Sequence, residues 1–196
     1  MKNKKYIIIS VLFLLFIVSC NKDGPEEMLD NFTVAMQEFD LEKVFSYVNP
    51  DKVNSENKDN LNIENQIEKS FLSYLKNNAK NITYEIKDVK KDKDIVTAKV
   101  YFKYIDGTKI IRKTLNEYFE YINENFSDGN ISEEENSKIL NDILNKKIKE
   151  IEPLYVDAII DIECIKKDGK WYIDNPSDEL FDVMMSNFIS VSKKLN

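Results

Sequence analysis

The chain has 196 residues, with 28 basic and 35 acidic side chains and no histidine. The missing histidine excludes His-based nucleophilic triads, His-containing zinc sites and the ordinary neutral-pH proton shuttle. The length fits one domain with a real core.

Lys2, Lys4 and Lys5 form a short cationic start, and Tyr6 to Val18 is apolar except for Ser10. A membrane span needs about 20 apolar residues, so this run has the length and flanks of a cleavable secretory signal instead. It closes on Ile17-Val18-Ser19-Cys20. That segment resembles the lipobox of bacterial lipoproteins. The resemblance implies cleavage between Ser19 and Cys20 and a diacylglyceryl group on the Cys20 sulfur. Residues 1–19 are then a signal peptide and 20–24 a lipidated tether, with the domain over 25–196. The expected location is the outer, extracytoplasmic face of the cell membrane, with the membrane itself as the first partner. Removing the leader leaves 25 basic against 35 acidic residues, a net charge of −10. Such a chain is repelled by an anionic membrane at long range, and nucleic acid is excluded because phosphate contacts need a cationic face.

Pro25 opens a first helix, with Glu26 and Glu27 at its positive end. Met28, Phe32, Ala35, Met36 and Phe39 recur at helical spacing. Leu41, Val44, Phe45 and Val48 continue as a second helical face, stopped by Asn49-Pro50. Asp51 to Asn60 reads as a loop. Ile63, Ile67, Phe71 and Tyr74 or Leu75 give a third helix.

The period then becomes two. Ile82, Tyr84 and Ile86 predict one strand, and Val96, Ala98, Val100, Phe102 and Tyr104 share a face of a longer one. Asp106-Gly107 is a hairpin signal that predicts a returning strand over Thr108 to Arg112. Thr114 to Glu117 and Ser132 to Glu135 both read as capping boxes. They open two helices that form an inserted hairpin over 114–150. Val156, Ala158, Ile160, Ile162 and Cys164 alternate on a further strand. Asp168-Gly169 turns it into Trp171 and Ile173. A continuous C-terminal helix is expected over Ser177 to Leu195, with Leu180, Met184, Phe188, Val191 and Leu195 as its stripe.

The Pro25–Val48 helical pair, the Ile63–Leu75 helix and the strands Val156–Cys164 and Trp171–Ile173 resemble the nuclear transport factor 2-like superfamily, a cystatin-like α+β cone. The likeness extends to surface lipoproteins of Gram-positive bacteria that carry this domain behind a lipobox. The fold implied is α+β, with N-terminal helices packed on a curved, mostly antiparallel sheet, plus the inserted hairpin and the extra C-terminal helix. Members of the superfamily commonly hold a pocket in the cone. Tyr84, Phe102, Tyr104 and Trp171 fall on predicted inner faces and are the candidate lining, with a plain core role as the alternative.

Hydratases and isomerases of the superfamily use an Asp, or an Asp with a His, inside the cone. Here Asp157, Asp161 and Glu163 lie opposite the apolar strand face and read as a solvated surface. Asp128 to Glu135 matches only the second half of a calcium-binding loop, since Phe126 falls at a ligand position. Cys164 reads as a small buried residue. No metal, cofactor or catalytic residue is expected. The leading expectation is a non-enzymatic module that binds a small ligand or an envelope protein. An assembly module, including a homodimer, and a histidine-free hydratase or isomerase are the alternatives.

Overall fold

The structure is a computed structural model that describes residues 24–53, 67–126 and 130–194. Ser19, Cys20, most of the Asp51–Asn60 loop, Ile63, the Asp128-Gly129 half-loop and Leu195 lie outside the described residues.

Helix α1 (Pro25–Glu38) has proline in its first turn and Glu26 and Glu27 at its N-terminus. Its apolar face is buried as the spacing predicts, with Phe32, Ala35 and Met36 fully enclosed. Phe39 ends it in a left-handed conformation, φ 57°. Asp40 caps the next helix, α2 (Leu41–Ser46), by accepting from Lys43 N at 3.0 Å. After α2 the chain joins the sheet. Val48 pairs in parallel with Ile173, Asn49 N donates to Ile173 O at 2.8 Å, and Ile173 N donates to Tyr47 O at 2.8 Å. Helix α3 (Lys69–Ala79) carries Phe71, Tyr74 and Leu75 inward but begins only after its cap Glu68, so Ile67, expected on its face, lies before it.

Four antiparallel strands follow in spatial order: β1 (Thr83–Asp92), β2 (Ile95–Asp106), β3 (Leu154–Lys167) and β4 (Lys170–Ile173). The register places Tyr84 opposite Phe102, Val100 opposite Ile160 and Cys164 opposite Ile173. All of the β2 and β3 residues expected inward are on one face. The sheet is open, and β4 covers only Cys164 to Lys167 of β3. Asp168 and Gly169 both take positive φ, 51° and 82°, as a two-residue hairpin turn requires.

Several expectations fail. Asp106-Gly107 is not a hairpin, and no third strand runs over Thr108 to Arg112. Helix α4 (Thr108–Asn125) begins there instead. The helical hairpin therefore spans 108–150 rather than 114–150, with α5 (Glu133–Glu150) as its second arm. Ile110, Ile111, Thr114, Leu115, Tyr118 and Ile122 fit one helical face, so the helical period already holds at Ile110. Thr114 is consequently interior to α4 and caps nothing. Ser132 does cap α5, accepting from Glu135 N at 3.2 Å.

The C-terminal helix is also not continuous. It is split into α6 (Asp178–Met184) and α7 (Phe188–Ser192), with Ser186 and Asn187 left-handed at φ 51° and 64°. The break is stabilised from within. Asp182 accepts from Ile189 N at 3.0 Å, from Ser190 N at 3.2 Å and from the Ser190 hydroxyl. One carboxylate thus satisfies two of the donors that a new helix start leaves open.

Candidate functional site

The four pocket candidates share the inner side of the sheet, but among the described residues they do not meet in one cavity: Tyr84 and Phe102 border one open depression and Trp171 another. Phe102 is fully buried in the core between sheet and helices. Tyr84, opposite it, is half-buried and donates from its hydroxyl to Asp30 Oδ1 at 2.9 Å. Burial, with the Asp30 hydrogen bond and charge added, pushes the Tyr84 pKa up to about 12. Tyr104 donates to Asn187 Oδ1 at 2.9 Å. Its pKa is raised, first by burial and then by Asp106, Asp182 and Glu179, against the lowering effect of the Asn187 bond. Trp171 lies at the far end, with Lys91 Nζ and Lys166 Nζ each 5.9 Å from its ring centroid.

The space a cone would leave is filled instead. Phe32, Met36, Leu75, Ile82, Phe102 and Ile111 are each at most 2% exposed. Close packing of this kind leaves no room for a ligand without displacing side chains.

The apolar opening is elsewhere, between α2 and the split C-terminal helix. A groove of about 390 Å³ is lined chiefly by Leu41, Phe45, Phe181, Met185, Phe188 and Ile189. Phe45 and Phe181 stack with centroids 5.6 Å apart and planes 29° apart. Lys52 and the Lys193–Asp178 ion pair stand on the rim. The break at Ser186-Asn187 makes the groove, because it turns Phe188 and Ile189 onto this side. Sequence reading took Phe45 and Phe188 as core and passed over Phe181. The missed signal is a second apolar row, Phe181, Met185 and Ile189, running beside Leu180, Met184 and Phe188. Two rows along the C-terminal segment mean that it has more apolar surface than a single core contact uses.

A smaller, uncharged cleft of about 280 Å³ lies between α3 and α5. It is lined by Tyr74, Asn77, Asn78, Asn141 and Asn145 among others. The Tyr74 hydroxyl is buried with no hydrogen-bond partner among the described residues. Burial raises its pKa. Asn78 is close enough to temper that rise, but its Nδ2 is committed to Ser186 Oγ at 3.1 Å.

The remaining candidates are dispersed. Asp157, Asp161 and Glu163 are exposed on the outer sheet face, where Asp161 pairs with Lys99 at 2.7 Å. Three carboxylates are held below their usual range. At Glu68, burial opposes ionisation but is outweighed by hydrogen bonds from Ser70, Ser137 and Phe71. At Asp106, burial is likewise outweighed, by Thr108 and Asn187. At Glu117, the Lys146 and Lys147 ammonium groups act directly. Each favours a fixed anion over a general acid at neutral pH. Cys164 is fully buried, and burial with Glu163 beside it pushes the thiol up to about 12. Among the described residues no three His, Cys, Asp or Glu side chains gather as a metal site, and no helix is long and apolar enough to cross a membrane.

No family model matches the chain, and no curated protein matches it. Among solved structures it is similar to a candidate lipoprotein (ycdA) of Bacillus subtilis, at 18% identity and a TM-score of 0.37. The match takes in 82% of this chain and 46% of that one, so the chain spans less than half of that protein's length. A likeness this loose carries neither fold nor function across.

Proposed function

We propose that the protein is a non-enzymatic binding module, lipid-anchored at Cys20 on the extracytoplasmic face of the membrane, that takes a small, mainly apolar ligand in the groove beside α2. One observation carries the binding part. The inner sheet face is packed shut, while Phe45, Phe181, Phe188 and Ile189 remain only partly buried around a groove of about 390 Å³. That volume falls in the small-molecule range, and apolar walls with a few polar rim groups are the usual make-up of such sites. The anchor part rests on Ile17 to Cys20 and on the cationic and apolar segments before it.

An assembly module is the second reading. It is favoured by β3, whose residues 154–162 have no strand partner beyond β2 among the described residues and include exposed Leu154, Tyr155 and Ile159. An unpaired edge of this length is a template for another strand.

An apolar fluorophore with an anionic head, anilinonaphthalene sulfonate, tests the groove. The full chain should bind it with enhanced emission, and Phe181→Asp should lose that binding while keeping its unfolding transition. Equal emission from both chains at native conditions would sink the groove as the binding site.

A further inference from the structure

The point where the tether meets the domain carries an inference about orientation. Gly24 shares a shallow surface cleft with Gly169 of the β3–β4 turn and with Lys170, Trp171 and Tyr172 of β4. Cys20 is four residues before it, and four residues span at most about 14 Å fully extended. A lipid on Cys20 therefore holds this end of the sheet close to the bilayer. The β1–β2 turn is there too, because Lys166 N donates to Asp94 O at 2.8 Å. The helical hairpin leaves from the opposite ends of β2 and β3, roughly 35 Å away along the strands.

The side chains at the tethered end suit a headgroup layer. Lys90, Lys93 and Lys170 are exposed, and Lys91 and Lys166 flank the Trp171 ring. Lys167 pairs with Asp51 at 2.5 Å. On the outer face Ile95 is 47% exposed, next to Ile165 and then Tyr172 in the strand register. Aliphatic, tyrosine and lysine side chains together are what a membrane interface favours. Asp92, Asp94 and Asp168 share the two turns and Glu27 lines the cleft, so the end is close to neutral. The mature chain carries a net charge of −10, and nearly all of that excess acid lies away from this end. An anionic surface therefore repels the body of the domain more than its tethered end, over a range of about 8 Å at physiological salt.

We infer that the β1–β2 and β3–β4 turns form a membrane-facing surface whose lysines contact anionic phospholipid headgroups. The inference rests on the lipoprotein reading of Cys20, and it goes beyond that reading by fixing which end of the domain faces the bilayer.

Trp171 is the chain's only tryptophan, so its emission reports on this end. The full mature chain would be inserted through its own lipid into phosphatidylcholine vesicles, with or without phosphatidylglycerol, that carry a nitroxide-labelled headgroup. Flotation would score attachment separately. The expected result is loss of Trp171 emission to the nitroxide, greater with phosphatidylglycerol present. The variant Lys90→Glu, Lys93→Glu, Lys170→Glu should still float and should forfeit the added loss. Floating protein with unchanged Trp171 emission overturns the orientation and leaves the anchor standing. Quenching that ignores phosphatidylglycerol and survives the triple variant overturns the headgroup contact. Wild-type chain that fails to float overturns the anchor and the reach argument with it.

Discussion

Thr114 is fully buried within α4, and its hydroxyl has no hydrogen-bond partner among the described residues. Leaving such a group unsatisfied costs about 1–3 kcal/mol, while valine matches its shape and has similar helix propensity. Thr114→Val should therefore raise stability by about 1 kcal/mol, read as a higher urea midpoint. A capping role would reverse the sign, since removing a cap costs about 1 kcal/mol. Cys164 supplies a second test at this scale. Its thiol titrates near 12 in the fold against 9.0 when free, and the Tyr84 hydroxyl near 12 against 10.0. Both groups hold their protons more tightly folded than unfolded. Stability from them is fully present below pH 9.0 and is lost as pH rises toward about 12. Urea midpoints should fall across that window, and Cys164 should resist a thiol reagent at neutral pH until the chain unfolds. Rapid labelling of the native protein would contradict its burial.

Gly107 decides how the elements meet. Its φ of −83° is open to any residue, so conformational freedom is not what the position needs. What it needs is space. A Cβ there would lie 2.9 Å from the Ser186 carbonyl oxygen and 3.1 Å from the Ser186 Cβ. The Gly107 N–H donates to that same oxygen at 3.0 Å, and Asp106 Oδ1 accepts from Thr108 N at 2.9 Å and from Asn187 Nδ2 at 2.8 Å. Gly107→Ala should push the α6–α7 break away from the start of α4 and cost about 1–3 kcal/mol, seen in thermal or urea unfolding. An unchanged transition would mean that the two elements do not approach so closely.

This junction also explains what the sequence could and could not reveal. Apolar periodicity placed the faces of α1, α2, β2 and β3, because each buries one continuous stripe against the core. Asp106-Gly107 was misread because both residues serve contacts made about 80 positions later in the chain, at Ser186 and Asn187. Local spacing contains no trace of such a contact. The same holds for Asp182, whose caps create the split in the C-terminal helix. The groove was hidden in turn, since its walls exist only after that split. The extra apolar row through Phe181 was visible, but its use depends on where α2 packs.

At the scale of the molecule, the packed sheet and the surface groove divide the labour. The sheet interior supplies stability through residues such as Phe32, Phe102 and Ile111, each at most 2% exposed. The groove leaves apolar surface at the outside, where a ligand gains by covering it. On the proposed reading, the Cys20 anchor would set where that surface works. Lipid attachment through two chains gives stable binding, since each buried CH₂ contributes about 0.8 kcal/mol. The most direct test of an anchored extracytoplasmic module is metabolic labelling with radioactive palmitate of the full chain and of Cys20→Ser, followed by membrane fractionation. The account predicts a labelled, membrane-bound wild type and an unlabelled variant that is either released or left with its leader uncleaved. Equal palmitate incorporation in the two chains would contradict it.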